Sequence, residues 1–298
     1  MRDYLKLHLV IVAWGFTAIL GKLIDMPVVE MLVWRTALAS LGFMLVARWH
    51  GVPLRMSAVE CRNMVLLGAV LGLHWILFFL SARLATASVC LAAMPTGMLW
   101  CSLIEPLVNK TKRWRPLELV VGLVIMGAVW LIYEVEFRYW LGFSVALVAA
   151  ALAAIFAVVS KQLVSRCHFA VMGTYQMLGA CLASAAGWAV MEHGHVTIPG
   201  WDDLIWLSLF VGICTLWAYA GYMDVLKRLS MFTVNVIYNM EPIYGIVLAA
   251  LVFGKSEYMS PGFYVGASII IGTVILVPWL ERWVEGQKAR RTIHEGRN

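Results

Sequence analysis

Charged side chains are scarce in this chain, and a few of them fall where a bilayer would hide them. Glu241 stands beside Pro242 in the middle of an apolar stretch running from Met231 to Gly254. A carboxylate near the centre of a hydrocarbon core costs roughly 2.5–3.5 kcal/mol on insertion scales, so it must face a polar interior, pair with a partner or hold a proton. The last of these makes Glu241 a candidate proton carrier, and the structural alternative is a carboxyl group bonded to the backbone that Pro242 frees. Arg35 lies inside a second apolar run and cannot shed its proton cheaply, so it too must find an anion or a polar cavity. Its planar fork fits a carboxylate bidentately; pairing with an acidic side chain and snorkelling toward the headgroups are the structural readings.

Other polar groups fall at related depths. On one continuous helix Asn235, Tyr238, Asn239 and Pro242 follow the i, i+3, i+4, i+7 rule and share a face, which the spacing predicts to point into a cavity. His74 and Tyr219 lie 145 residues apart in the outer and inner thirds of their runs, and would line the two ends of one pathway. Tyr175, with Gln176, corresponds in the same way to Trp34 and Arg35. Trp14, Pro95 and Glu241 each lie about ten residues into a run, or about 15 Å at 1.5 Å per residue, near the midplane. Of the 14 tryptophans, Trp14, Trp75, Trp100 and Trp217 are deep enough to be lining, whereas Trp49, Trp114, Trp140, Trp201, Trp279 and Trp283 sit at run ends as interface anchors.

The elements that must position these residues follow from composition. Of 298 residues, 62% are hydrophobic and 13% charged, against about a quarter charged in a soluble domain. That excludes a soluble enzyme and leaves no room for a separate catalytic domain. Ten apolar runs stand between charge, proline or glycine punctuation: Tyr4–Lys22, Val28–Trp49, Val59–Leu80, Ala85–Leu107, Leu117–Tyr133, Trp140–Ser160, Ala170–Met191, Leu204–Tyr222, Met231–Gly254 and Met259–Leu280. A lipid-embedded backbone must satisfy its own hydrogen bonds and no strand-like alternation is present, so the spans are helices and the fold an all-α membrane protein. The first run reads as a retained helix rather than a cleaved signal.

The net charge of +6 does not indicate nucleic acid, because the basic residues lie in short segments between runs. A cytoplasmic N-terminus puts 18 of the 23 Lys and Arg on the inside and 4 outside, with Arg35 within a span, so both termini are expected in the cytoplasm. The six cysteines show no metal-ligand spacing, and no disulfide, metal or cofactor is expected. Small-residue stripes such as Gly68-x-x-x-Gly72 and Gly262-x-x-x-Gly266 predict close helix contacts inside a monomer, a dimer being the alternative.

The two halves repeat one another weakly. Gly15–Lys22 matches Ala154–Lys161, Arg83-Leu84 matches Arg228-Leu229, Pro95 has a counterpart in Pro242, and Gly122 with Gly127 in Gly266 with Gly272, at offsets of 139 to 147 residues. Five helices in each half, an odd number, would make the second half inverted. The expected organisation is a first repeat over 1–136, an inverted second over 137–284, and a basic cytoplasmic tail over 285–298.

Ala13-Trp14-Gly15, Arg35-x-x-x-Ala39, Glu241-Pro242, Phe253-Gly254-Lys255-Ser256-Glu257 and the glycines Gly266 and Gly272 together resemble the drug/metabolite transporter superfamily, EamA-type ten-helix members, over nearly the whole chain. In the first repeat Arg113 stands where the acidic counterpart of Glu257 is expected. The resemblance implies export of a small metabolite, amino acids or amphipathic drugs, by alternating access without ATP. It places the chain in a bacterial inner membrane, with lipid and a small substrate as its partners. A multidrug exporter, a lipid-linked precursor flippase and an intramembrane enzyme are the rival readings. For the enzyme, the crowd of Glu192, His193, His195, Asp202 and Asp203 is the only candidate, and it reads better as a solvated loop. Gly15-x5-Gly21-Lys22 has the wrong length for a phosphate loop and lacks its Ser or Thr.

Overall fold

The computed structural model describes residues 2–111, 116–135, 137–191, 197–273, 275–276 and 279–280. Among them all regular structure is helical: α1 (Arg2–Gly15), α2 (Thr17–Leu23), α3 (Val28–Trp49), α4 (Ala58–Leu84), α5 (Ala87–Ala93), α6 (Gly97–Val108), α7 (Pro116–Val135), α8 (Trp140–Leu163), α9 (Phe169–Met191), α10 (Trp201–Val211), α11 (Ala218–Arg228), α12 (Met231–Tyr238) and α13 (Glu241–Phe253), then α14 (Pro261–Thr273). Eight stretches of the described residues are long and apolar enough to cross a membrane, and α14 and the Pro116–Ile132 part of α7 are shorter apolar helices. The outward faces are apolar: Leu66, Leu123, Trp130, Leu182 and Leu251 are all more than half exposed. Water would not tolerate such a surface, and lipid suits it.

Several ends are set by short polar motifs. Ser57 and Glu60 close a capping box at the start of α4. Thr86 accepts from the Val89 amide to cap α5, and Ser230 accepts from the Thr233 amide to cap α12. Charge did not stop two helices where the sequence reading stopped them. α4 continues past Leu80 to Leu84 because Arg83 folds back onto the carbonyls of Gly21, Ile24 and Met26. α11 continues past Tyr222 to Arg228 because Asp224 is bonded by Lys6 at 2.6 Å and by Arg228 at 2.7 Å, and Arg228 also reaches Asp3 at 2.7 Å.

The packing is intimate where glycines meet. α4 lies against α8 and α9, and α3 against α9. A methyl group on Gly68 would sit 2.0 Å from the Gln176 carbonyl oxygen, and one on Gly179 would sit 2.0 Å from the Val65 carbonyl oxygen. Gly266 likewise brings α14 onto Ile132 of α7. The small-residue stripes are thus used between helices of this chain. All six cysteines are free thiols. Arg113, Trp114, Glu192, His193, His195, Trp283 and the 285–298 segment lie outside the described residues.

Candidate functional site

Four of the long apolar stretches lose regular α-helix near their middle. The first breaks at Phe16, where the Thr17 hydroxyl donates to the Trp14 carbonyl at 2.6 Å. Another passes through a 3-10 turn, Met94–Thr96, with Pro95 opening it. A third breaks between Tyr238 and Glu241, with Pro242 in the first turn of α13. The fourth is wound as a π-helix over Gly212–Trp217, between α10 and α11. Proline removes one helical donor and unseats an earlier carbonyl, so two of the breaks are encoded locally.

These irregular turns border one cavity. Its walls include Trp14, Thr17, Arg35, His74, Trp75, Met94, Thr215, Tyr219, Tyr222, Asn235, Tyr238 and Glu241, closed on one side by the small side chains Ala150, Ala153, Ala154 and Ala157 of α8. The centre of a water-sized molecule has about 100 Å³ in which to move. One water needs roughly 10–15 Å³ on that measure, so the space suits several waters or one small organic molecule.

Arg35 forms the first polar corner and is 1% exposed. Its guanidinium carbon lies 3.9 Å from the centroid of a Trp75 ring and 4.0 Å from that of Phe210. The two rings crowd the flanks of the guanidinium. Along one edge Nε donates to the Thr215 hydroxyl oxygen at 2.8 Å. That hydroxyl spends its own proton on the Phe210 carbonyl, five residues back, at 2.9 Å, and can only accept from Arg35. The bond spans five residues, the spacing of the π turn in which Thr215 lies. Nη1 is buried without a partner.

Glu241 forms the second corner. It is 2% exposed, and its Oε2 has no hydrogen-bond partner. Around it stand aromatic walls: the Trp14 ring lies 4.9 Å from Tyr222 and 6.1 Å from Tyr238 between centroids. Between the corners, His74 Nδ1 lies 2.8 Å from the Ala149 carbonyl oxygen. A carbonyl only accepts, so Nδ1 carries the proton and Nε2 is left as the free ring position. Tyr219 donates to Gln176 Oε1, and Gln176 Nε2 in turn reaches Ser160 at 3.5 Å. Among the described residues no group of three or more His, Cys, Asp or Glu side chains is placed to hold a metal.

Residues 140–279 match the model of the EamA-like transporter family. The match covers just under half of the chain, its second part, and over those residues the chain is similar to that family. No curated protein matches it. A solved structure, described only as a crystal structure of a protein, superposes with a TM-score of 0.73 at 15% identity, covering 95% of this chain and 99% of its own. At that identity the likeness is one of fold. The match, with the apolar helices, points to a multi-pass membrane protein similar to small-molecule transporters.

The cavity collects Trp14, Arg35, His74, Tyr219, Asn235, Tyr238 and Glu241 of the residues named from sequence. Four others lie elsewhere. Pro95 is buried in its 3-10 turn, and its neighbour Met94 faces the cavity instead. Asn239 is not in the lining; its amide points to the Met98 sulfur at 3.5 Å. Tyr175 donates to the Leu54 carbonyl at 2.8 Å, away from the cavity. Trp100 is half-buried outside the lining, its ring nitrogen unpartnered. Thr17, Thr215 and Tyr222 line the cavity and were not singled out; a threonine or tyrosine within an apolar run carries little signal until its partner is known.

Proposed function

We propose that this EamA-like transporter is a secondary carrier that exports a small organic metabolite, with amino acids the leading class, by alternating access. The observation that carries this reading is the pair of orphaned charged atoms, Arg35 Nη1 and Glu241 Oε2, in the walls of one otherwise aromatic and aliphatic cavity. A buried polar atom without a partner costs about 1–3 kcal/mol, more when charged. A ligand that brings a carboxylate to one corner and an ammonium or a proton to the other removes both penalties. Glu241 is the group we assign to proton coupling.

The carrier would work as ten spans in two inverted repeats, with both termini in the cytoplasm of a bacterial inner membrane. The two shorter apolar helices α7 and α14 bring the eight long stretches to ten. The caps Thr86 and Ser230 stand 144 positions apart, each opening the first segment of a broken stretch. Lys22 and Lys161, matched in sequence, stand at the starts of these same two stretches: Lys22 bonds Glu257, which holds the first turn of α5, and Lys161 donates to the Leu226 and Leu229 carbonyls just before α12. Broken helices at matching places in two inverted halves are the usual surroundings of a central transporter site.

The test is counterflow in liposomes containing the purified protein, with a panel of labelled amino acids and one cationic drug as comparator. Saturable exchange of an amino acid is expected. Exchange of the drug alone would move the assignment to multidrug export, and no exchange by folded protein would remove the carrier reading for both classes.

A further inference from the structure

We propose that the free edge of Arg35 is a carboxylate receptor and that Thr215, on the π turn, is the positioning residue that aims it. This rests on the carrier reading and deepens it by assigning the recognised group to one corner of the cavity. Three observations carry it. First, Trp75 and Phe210, with ring centroids 3.9 and 4.0 Å from the guanidinium carbon, crowd its flanks, and Nε is taken by Thr215, so the Nη end is what a ligand can meet. Planar carboxylates bind guanidinium through two parallel N–H···O bonds.

Second, Nη1 is unsatisfied although Arg35 is 1% exposed and an acidic group stands in the same cavity. Glu241 Oε2 is unsatisfied too, so the two charges have not neutralised each other. Both atoms are left for something that enters.

Third, the orientation of the fork is set from outside the ligand. Thr215 accepts from Nε at 2.8 Å and is itself tied to the Phe210 carbonyl at 2.9 Å. Phe210 therefore supplies both a stacking ring and the anchor of the threonine, and a regular α-helical turn at Gly212–Trp217 would break that arrangement. A pre-aimed fork loses little freedom when it binds, which is how positioning raises affinity.

The experiment uses the wild-type protein first. In counterflow with whichever labelled amino acid exchanges best, unlabelled competitors are the same amino acid, its amide, its decarboxylated amine and its N-acetyl derivative. The amide and the amine, which lack the carboxylate, should compete at least tenfold less well than the acid. The N-acetyl derivative, which keeps it, should retain more competition than the amide. Thr215→Val should shrink the acid-to-amide ratio several-fold through apparent affinity while the maximal rate is kept, and Thr215→Ser, which preserves the hydroxyl, should restore it. Arg35→Lys should shrink the ratio furthest.

An amide that competes as well as the acid in wild-type protein overturns the receptor and leaves the carrier standing. An unchanged ratio in Thr215→Val overturns the positioning role alone. Absence of exchange by every amino acid overturns the amino-acid reading and the receptor with it, whether or not the drug exchanges.

Discussion

Glu241 and Glu257 bracket the same helix, α13, and are about equally buried, at 2% and 1% exposed. Glu257 is surrounded by donors: Lys22 Nζ at 2.8 Å, the Ser88 hydroxyl at 2.8 Å, and the amides of Ser88 at 3.0 Å and Ala87 at 3.3 Å. Those amides are the first turn of α5, whose positive dipole end favours an anion. Glu241 has an oxygen with no donor at all and faces a cavity. The first carboxylate ties together the ends of α2, α5 and α13. The second meets only Tyr238, its neighbour across the helix break, and the cost of its unpartnered oxygen is repaid only if something visits it. Equal burial thus hides opposite roles, and the count of donors separates them.

Three substitutions bear on that contrast. Glu257→Ala leaves a quarter-exposed Lys22 and a helix start without their anion, and should lower the unfolding free energy in detergent by about 3 kcal/mol; a loss under 1 kcal/mol would mean the donors are decorative. Glu241→Gln should change the melt by no more than about 1 kcal/mol, since it removes a carboxylate already short of partners. In the same variant the pH dependence of counterflow should vanish and the rate fall roughly tenfold, the equivalent of 1.4 kcal/mol. A melt as damaged as that of Glu257→Ala, with the pH profile intact, would erase the distinction. Smallest of all, Tyr238→Phe removes a hydroxyl facing the Glu241 carboxyl, and should slow exchange about two- to fivefold, the equivalent of 0.5–1 kcal/mol, with the melt unmoved.

Arg35 offers a fourth prediction on the same principle. Arg35→Leu should abolish exchange of carboxylate substrates while leaving the melting temperature of the empty protein within a few degrees of wild type, because a buried charge without an anion contributes little net stability.

Much of this architecture was written in the hydrophobic pattern. Val28–Trp49 emerges with the bounds read from sequence, because both ends of α3 coincide with a proline and a polar turn. Charge was the poorer guide to where helices stop: Arg83 and Arg228 extend their helices, since each finds carbonyls or carboxylates from distant segments. Pro95 and Pro242 announced that something happens at mid-depth. They did not announce a full break, nor that the Asn239 amide would turn to the Met98 sulfur. The Arg35 corner was half visible. A lone arginine in an apolar run demands an explanation, but the residue that holds it lies 180 positions away in a π turn, and nothing in Gly212–Trp217 besides a glycine and a threonine marks that winding.

The contact of Gly68 with the Gln176 carbonyl and of Gly179 with the Val65 carbonyl has a mechanical meaning. Where two helices meet backbone to backbone there is no layer of side chains between them to repack when one shifts against the other. α4 and α9 must therefore travel as one beam. In the proposed carrier the other helices would swing around that beam, which lends His74 and Trp75 to the cavity wall and, through the Gln176 side chain, receives Tyr219.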